Sequence, residues 1–139
     1  MNTRFYTSIE ESKHLLELGL NPETADMEYT HETSNLPTIW KSLSIDCIPC
    51  WSVAALLKVL PSMIKRSGNV YKQYYTDIEY FLSIIKDEDE GEFYVCQYDE
   101  FPKKSVIKEP LISYESSCVI EAVYYMVVWF LTDIKNGEQ

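Results

Sequence analysis

Glycine is scarce in this chain, with only four copies among 139 residues. Phosphate-binding loops need glycines, because their backbone N–H groups must approach the ligand closely. The sequence contains no Walker A loop, no G-x-G-x-x-G fingerprint and no G-x-S-x-G nucleophile elbow. These absences argue against nucleotide-dependent enzymes and against serine hydrolases of the α/β type.

Basic residues are in the minority: 12 Lys and Arg stand against 22 Asp and Glu, which gives a formal charge of −10. Phosphate backbones and anionic membrane surfaces repel such a protein, so we expect no direct nucleic-acid or membrane binding. Acidity usually means a well-solvated surface. One alternative is that the chain imitates a nucleic acid and occupies a basic partner.

The N-terminus lacks the apolar segment of a signal peptide. The longest apolar run, Cys118–Leu131, is shorter than the roughly 20 residues that a membrane-spanning helix needs, and it contains Glu121. The sequence therefore predicts a cytoplasmic protein that does not enter the membrane. In that compartment the four cysteines are expected to be reduced thiols.

The same apolar run predicts a long, largely buried C-terminal helix. Ser116-Ser117 offers N-caps, and Asn136-Gly137 is expected to end the helix. The predicted core face comprises Val119, Val123, Met126, Val127, Phe130 and Ile134. Tyr125 and Trp129 fall on the opposite face. Because Tyr and Trp give large contact areas, these two are the predicted partner-binding residues.

Three further segments carry helix signals. A capping box at Thr7–Glu11 predicts an N-terminal helix that ends at Gly19. Asn21-Pro22 predicts the start of a short second helix that runs through Met27. The apolar spacing of Ile45–Leu60 predicts a third helix, capped by Asp46 or Ser52, with one more turn through Met63 and Ile64.

The β signals lie in the second half of the chain, after a predicted break at Lys65–Asn69. Alternating aromatic and β-branched residues predict a hairpin from Tyr80–Ile85 and Phe93–Tyr98. Additional strand candidates are Thr38–Trp40 within the long loop Tyr29–Leu43, Val70–Tyr75, and the edge segment Val106–Ile112. Helices, then an antiparallel sheet, then a long helix packed on that sheet make one α+β domain spanning residues 1–139.

Cys47-Ile48-Pro49-Cys50 is the sharpest local motif. A C-x-P-C segment ahead of a helix is typical of thioredoxin-type redox sites, where the helix N-terminus lowers a thiol pKa. The parallel βαβ context of such sites is not predicted here, so a structural role is favoured and redox activity is the alternative. A zinc site would need two more ligands, but Cys96 and Cys118 are isolated.

The remaining candidates for chemistry are weak. His14 and His31 have no partner at the spacing of a zinc or general-base motif, so both are expected to be solvated surface side chains. The acidic run Asp87–Glu92 lacks the alternating oxygens of an EF-hand loop and is expected to be a solvated turn. We therefore predict no metal, no cofactor and no enzymatic activity.

Three segments taken together resemble a family of small uncharacterised proteins of gut Bacteroides-type bacteria and their phages and mobile elements. The segments are Leu15–Met27, Ile48–Pro61 and Glu121–Leu131. The family has no assigned activity, so no functional residue is carried over. The resemblance implies a cytoplasmic setting and a phage or mobile-element origin.

The function predicted from the sequence is that of a non-enzymatic interaction protein, either a homodimer or a binder of another protein. This prediction rests on the apolar face of the last helix, which carries Tyr125 and Trp129. Two alternatives from other classes stay open. One is a thiol or redox protein using Cys47 and Cys50, and the other is the acidic nucleic-acid mimic.

Overall fold

A computed structural model describes residues 4–39, 46–67, 77–88, 91–100 and 110–137. The fold is α+β, as predicted: helices on one side pack against antiparallel sheet. In chain order the elements are α1 (Ile9–Glu17), a 3-10 turn (Pro22–Thr24), β1 (Met27–Tyr29), β2 (Ile48–Cys50), α2 (Val53–Val59), β3 (Met63–Ser67), β4 (Asp77–Asp87), β5 (Phe93–Glu100), β6 (Ile112–Ser116) and α3 (Val119–Gly137).

The predicted capping box opens α1. The Ser8 side chain accepts a hydrogen bond from the backbone N–H of Glu11 at 3.1 Å, and the Glu11 carboxylate accepts one from the backbone N–H of Ser8 at 2.8 Å. Two of the orphan N–H groups of the first turn are thereby satisfied. Gly19 ends the segment with a φ of +94°, a left-handed conformation in which a side chain would be strained.

Among the described residues, β3, β4, β5 and β6 form a four-stranded antiparallel meander, here called the larger sheet. The predicted hairpin is its centre, with Leu82 opposite Tyr98 and Ile85 opposite Val95. β1 and β2 pair separately as a two-stranded antiparallel ribbon. The first residues of the chain are tied to that ribbon, since the backbone N–H of Thr7 donates to the carbonyl of Trp51 at 2.9 Å.

α3 lies on one face of the larger sheet, here called the inner face. The inner-face side chains that pack into the core are Ile64, Tyr80, Leu82, Cys96, Tyr98, Ile112 and Tyr114. α2 contacts α3 as well, and α1 reaches it through a hydrogen bond of 2.6 Å between His14 Nδ1 and the Tyr124 hydroxyl. Within the described residues, no helix combines the length and apolarity that crossing a bilayer requires.

The buried face of α3 is rotated from the predicted one. Its buried residues are Ile120, Ala122, Val123, Tyr124, Met126 and Val127. Val119 and Phe130, which the prediction placed in the core, are only half-buried. Because α3 lies between a sheet and two other helices, neighbours cover it on more than one side. Hydrophobic periodicity alone does not show which sides these are.

Two helix predictions were wrong. Ile48–Cys50 is strand β2, and α2 begins only at Val53 with Ser52 as its N-cap. Pro49 explains the difference, because a residue before proline is pushed toward extended backbone. Met63–Ser67 is strand β3 rather than a helical turn followed by a basic break. Its residues alternate between the two faces of the sheet, which only pairing with β4 reveals.

Smaller boundaries also differ. The predicted second helix is the 3-10 turn Pro22–Thr24, and Met27 already belongs to β1. The predicted edge strand begins later, at Ile112. Thr38 forms a single bridge with Glu28. Trp40, Val70–Tyr75 and residues 106–109 lie outside the described residues.

Replacing Ser8 with Ala removes the oxygen that caps α1, so the free energy of unfolding should fall by about 1 kcal/mol. Urea unfolding followed by circular dichroism measures the change. Ser62→Ala is the matched control, because Ser62 is an exposed serine between α2 and β3. Equal stability of the two variants would contradict the role assigned to the capping box.

Candidate protein-interaction surface

The side of the larger sheet that faces away from α3 is here called the outer face. Successive residues of a strand point to opposite faces, and cross-strand partners share a face. Phe81 pairs with Met63 and with Asp99, and Ile85 pairs with Val95. None of these five side chains belongs to the core cluster that contains Tyr80 and Leu82. The outer face therefore presents apolar side chains that no described element covers.

Two large apolar side chains dominate this face. Phe81 is 37% exposed near the middle of β4, and Ile85 is 47% exposed two residues before its end. Met63, Phe93 and Val95 add half-buried apolar area on the same face. On the same face the pair Ser83 and Gln97 lies between Phe81 and Ile85, so the apolar side chains form two groups separated by a polar row. Single exposed apolar residues are ordinary, whereas several on one face make that face a candidate interaction surface.

Acidic side chains lie on this face as well. Asp99 is the cross-strand partner of Phe81, and Glu115 is the partner of Val95. Asp87 pairs with Phe93 at the end of the hairpin. Glu79 lies two residues before Phe81, and its carboxylate is 4.0 Å from the ammonium of Lys65. The outer face thus combines exposed apolar side chains with charged and polar ones, a mixture that is common in protein–protein interfaces.

Tyr125, a predicted partner-binding residue, lies on the exposed side of α3 with 43% of its surface accessible. Its ring centroid is 6.0 Å from that of Tyr114 on β6 and 5.6 Å from that of Tyr124. Burial raises the pKa of both Tyr114 and Tyr124. The three tyrosines form an aromatic cluster on the side of the sheet opposite the outer face, here called the tyrosine surface, and Tyr125 is its exposed member.

Trp129, the other predicted partner-binding residue, is not opposite the core. It is half-buried and packs against the core cluster, with its ring centroid 6.2 Å from that of Tyr98. Tyr98 itself is fully buried, and its hydroxyl donates to the carbonyl of Pro61 at 2.7 Å. The structure thus separates Tyr125 from Trp129: the first faces solvent and the second completes the packing of α3 on the sheet.

Cys50 sits inside a buried polar network rather than at a helix N-terminus. Its thiol donates to the carbonyl of Thr7 at 3.4 Å, and the Tyr29 hydroxyl donates to that same carbonyl at 2.7 Å. The Thr7 hydroxyl in turn accepts from the backbone N–H of Trp51 at 3.1 Å. Burial raises the pKa of the Cys50 thiol to about 11. This environment suits a structural thiol and opposes the thiolate that redox chemistry needs.

The other sequence candidates are dispersed. All four cysteines are thiols, with Cys47 half-buried and Cys96 fully buried. Burial raises the pKa of Cys96 to about 12. Across the described ranges, no group of three or more His, Cys, Asp or Glu side chains could hold a metal ion. His14 is hydrogen-bonded to Tyr124, while the His31 ring is hydrogen-bonded to the Thr33 hydroxyl at 2.6 Å in an exposed turn.

The acidic turn joins β4 to β5 and is described only in part. Gly91 adopts a φ of +113°, a left-handed conformation suited to glycine. The Lys86 ammonium lies 3.1 Å from Glu88 and 3.4 Å from Glu92, so two of the negative charges are locally paired. These exposed contacts fit a solvated hairpin end.

Comparison with known proteins gives no relative: no family model, curated protein or solved structure matches this chain. The resemblance of its helical segments to a phage-associated family therefore stays a prediction. The functional interpretation must come from the surface of the molecule itself.

Sequence reasoning missed the outer face. The signal was present in β4, where Phe81, Ser83 and Ile85 alternate with Tyr80, Leu82 and Ile84. The second set is apolar throughout, and the first is apolar except for Ser83, whereas a strand with one solvated face should alternate apolar and polar residues. Phe81 and Ile85 therefore put apolar side chains on the face that α3 does not cover.

Thiol labelling tests the structural assignment of Cys50. With a pKa near 11, its thiolate fraction at pH 8 is roughly one in a thousand. We expect iodoacetamide to modify Cys47 well before Cys50 in the native protein, with the Cys50 rate rising as the pH approaches 11. Mass spectrometry of peptides measures both rates. Equal labelling at neutral pH, or a disulfide between the two residues that forms and breaks reversibly, would contradict the assignment.

Proposed function

We propose that this chain is a non-enzymatic protein-interaction domain that binds its partner through the outer face of the larger sheet. The single observation that carries this proposal is the pair Phe81 and Ile85, large apolar side chains exposed on one face of a sheet. Burying one such side chain is worth about 1.5–3 kcal/mol. A domain that leaves both exposed on one face of a sheet, with Ser83 between them, gains that free energy when a partner covers them.

The proposal keeps the interaction function expected from the sequence. It places the main binding surface on the outer face of the larger sheet instead of on α3. Tyr125 remains a subsidiary contact, while Trp129 acts as a packing residue. The phage or mobile-element origin implied by the resemblance is compatible with such a domain, because small accessory proteins commonly act by contact. The redox alternative has little support, since the environment of Cys50 disfavours its thiolate.

The acidic nucleic-acid mimic is a second candidate with one favourable observation. Its acidic residues would have to be spread along a face, and Glu79, Asp99 and Glu115 are so spread on the outer face. A phosphate-backbone imitation has no use for the apolar side chains among those charges. The protein-interaction proposal uses both features, so it is preferred.

Site-specific photo-crosslinking in cells of the source organism tests the proposal. The photoreactive residue p-benzoylphenylalanine replaces Phe81 in one variant and Thr132 in another. Thr132 is exposed on α3, which packs on the opposite face of the sheet, and serves as the matched control position. We expect the Phe81 variant to form one adduct of discrete mass with one identified protein, and the Thr132 variant to form none.

A third variant carries the photoreactive residue at Tyr125. An adduct from Tyr125 alone would move the interaction to the tyrosine surface and contradict the outer face as the binding site. Equal, diffuse crosslinking from all three positions would contradict a specific interaction. An adduct with the mass of two copies of this chain would identify the partner as a second copy.

A further inference from the structure

We infer that residues Arg4–Thr7, here called the N-terminal strap, form a thiol-sensitive switch: the strap undocks as one unit, and a small disulfide that then reacts with Cys50 or Cys118 holds it undocked. This inference goes beyond the proposed function and is independent of the outer face. The Cys50 thiol donates to the carbonyl of Thr7 at 3.4 Å, and the Cys118 thiol donates to the carbonyl of Arg4 at 3.4 Å. The two ends of one short segment therefore lie against two thiols that are far apart in the chain.

Both thiols are inaccessible while the strap is docked. Cys50 is fully buried, and Cys118 is 1% exposed. Burial also raises the pKa of the Cys50 thiol to about 11, so little of the nucleophilic thiolate exists in the docked state. A reagent reaches these thiols after a covering element moves aside, and the strap is the element that touches both.

The strap contributes little apolar surface to the core. In the described part of the chain, no strap residue belongs to the core cluster that α3 shares with the larger sheet. Tyr6 packs on the smaller apolar cluster of Tyr29, Ile48 and Cys50, whereas Phe5 is 59% exposed. The strap can therefore leave its site without drawing an apolar side chain out of the core beneath α3.

Hydrogen bonds attach the strap to the β1–β2 ribbon and to α2. The backbone N–H of Thr7 donates to the carbonyl of Trp51 at 2.9 Å, and the carbonyl of Phe5 accepts from the N–H of Val53 at 3.0 Å. The Tyr29 hydroxyl donates to the carbonyl of Thr7 at 2.7 Å. The net contribution of each bond to stability is small, because water replaces the partner when the strap opens. Opening of the strap thus costs less free energy than unfolding of the whole domain.

The Arg4 side chain links the strap to itself and to both neighbouring helices. Arg4 Nη1 donates to the carbonyl of Tyr6 at 2.7 Å and to the carboxylate of Glu11 at 2.6 Å. Its Nη2 lies 3.8 Å from the carboxylate of Glu121 on α3. Because the guanidinium braces the strap's own backbone, the two ends of the strap leave the ribbon and α3 together.

The covalent step is thiol–disulfide exchange with a low-molecular-weight disulfide, and glutathione disulfide is the probe. The uncovered thiol releases its proton to water, and its sulfur attacks one sulfur of the reagent. The S–S bond of the reagent breaks, one glutathione leaves as the thiolate, and a new S–S bond joins the other glutathione to the protein. Protein interiors are close-packed, so this adduct fills the space that a strap carbonyl occupies in the docked state. A thiol reductant reverses the exchange, and the strap docks again.

Iodoacetamide labelling of the full chain at one fixed pH tests the opening, with mass spectrometry of peptides as the measurement. Tyr29→Phe removes the hydroxyl that donates to Thr7. We expect this variant to label Cys50 and Cys118 faster by the same factor, about threefold to tenfold, because loss of one hydrogen bond raises the open population. Cys96 is fully buried in the core cluster and serves as the internal reference, with an unchanged rate.

Tyr98→Phe is the matched control. The Tyr98 hydroxyl also donates to a backbone carbonyl at 2.7 Å, that of Pro61 between α2 and β3. This variant should leave the rates of Cys50 and Cys118 unchanged. If Tyr29→Phe accelerates Cys50 without Cys118, the two thiols open separately and the strap is not one unit. Equal acceleration of these two and Cys96, or no acceleration of any, also overturns the inference.

Hydrogen exchange of the unaltered chain, before and after treatment with glutathione disulfide, tests the trapped state. The amides of Thr7 and Val53 report on the strap, because each bonds across its contact with the ribbon and α2. We expect both amides to lose at least tenfold in protection once Cys50 or Cys118 carries glutathione, and to regain it after dithiothreitol. The amides of Ile120 through Val127 should stay protected throughout.

Three results of this exchange measurement contradict the switch. Unchanged protection of Thr7 and Val53 in the modified protein would mean that the strap docks over the adduct. Loss of protection throughout α3 would mean that the adduct unfolds the domain. Modification of Cys47 alone, with Cys50 and Cys118 left free after prolonged treatment, would mean that the strap does not open to the reagent.

Discussion

The packing of α3 against the inner face of the larger sheet is the interaction on which the rest of the structure depends. Ile120, Val123, Met126 and Val127 are completely buried in the core that α3 shares with this sheet, α1 and α2. Each such side chain contributes about 1.5–3 kcal/mol when it leaves water, so together they supply a large part of the stability of a domain this size. Tyr98 and Trp129 extend the same contact. The helix covers the inner face around Leu82 and Tyr98, whereas Ile84 on that face and Phe81 and Ile85 on the outer face stay partly exposed.

The N-terminal segment is held by polar contacts rather than by a large apolar area. Thr7 is fully buried, and its hydroxyl lies 2.8 Å from that of Ser12. Its backbone carbonyl accepts from Cys50 and Tyr29, so one residue joins the start of the chain, α1 and the β1–β2 ribbon. Arg4 adds an ion pair of 2.6 Å with Glu11. Buried polar groups that are mutually satisfied specify one arrangement, because any shift would leave them unpaired.

The sequence predicted an element correctly when the contacts that form this element are local in the chain. The cap of Ser8 on α1 and the β4–β5 hairpin are local, and both were predicted from short patterns. β2 and β3 were missed because their pairing depends on distant residues. The partners of β2 lie 19 (Tyr29 to Ile48) to 23 (Met27 to Cys50) positions away, and those of β3 lie beyond an intervening segment. Tyr125 was correctly expected at the surface. Trp129 was placed wrongly, since its burial depends on Tyr98, which no helical periodicity can locate.

The outer face, the candidate functional surface, could not be located from the sequence alone either. The alternation within β4 could have suggested two apolar faces, but only the position of α3 tells which face is filled. The acidic side chains of this face also emerge only from register, because Asp99 and Glu115 are far from Phe81 along the chain and share its face in the sheet. A surface that no motif defines can therefore be recognised once the strands are aligned.

Native-state hydrogen exchange of the backbone amides of α3 tests the central claim most directly. If the packing of α3 holds the domain together, the amides of Ile120 through Val127 exchange only by global unfolding, with a protection free energy equal to that from urea unfolding. They should match the most protected amides of β5. Exchange of these amides through a local opening, at a much lower free energy while β5 stays protected, would contradict the account.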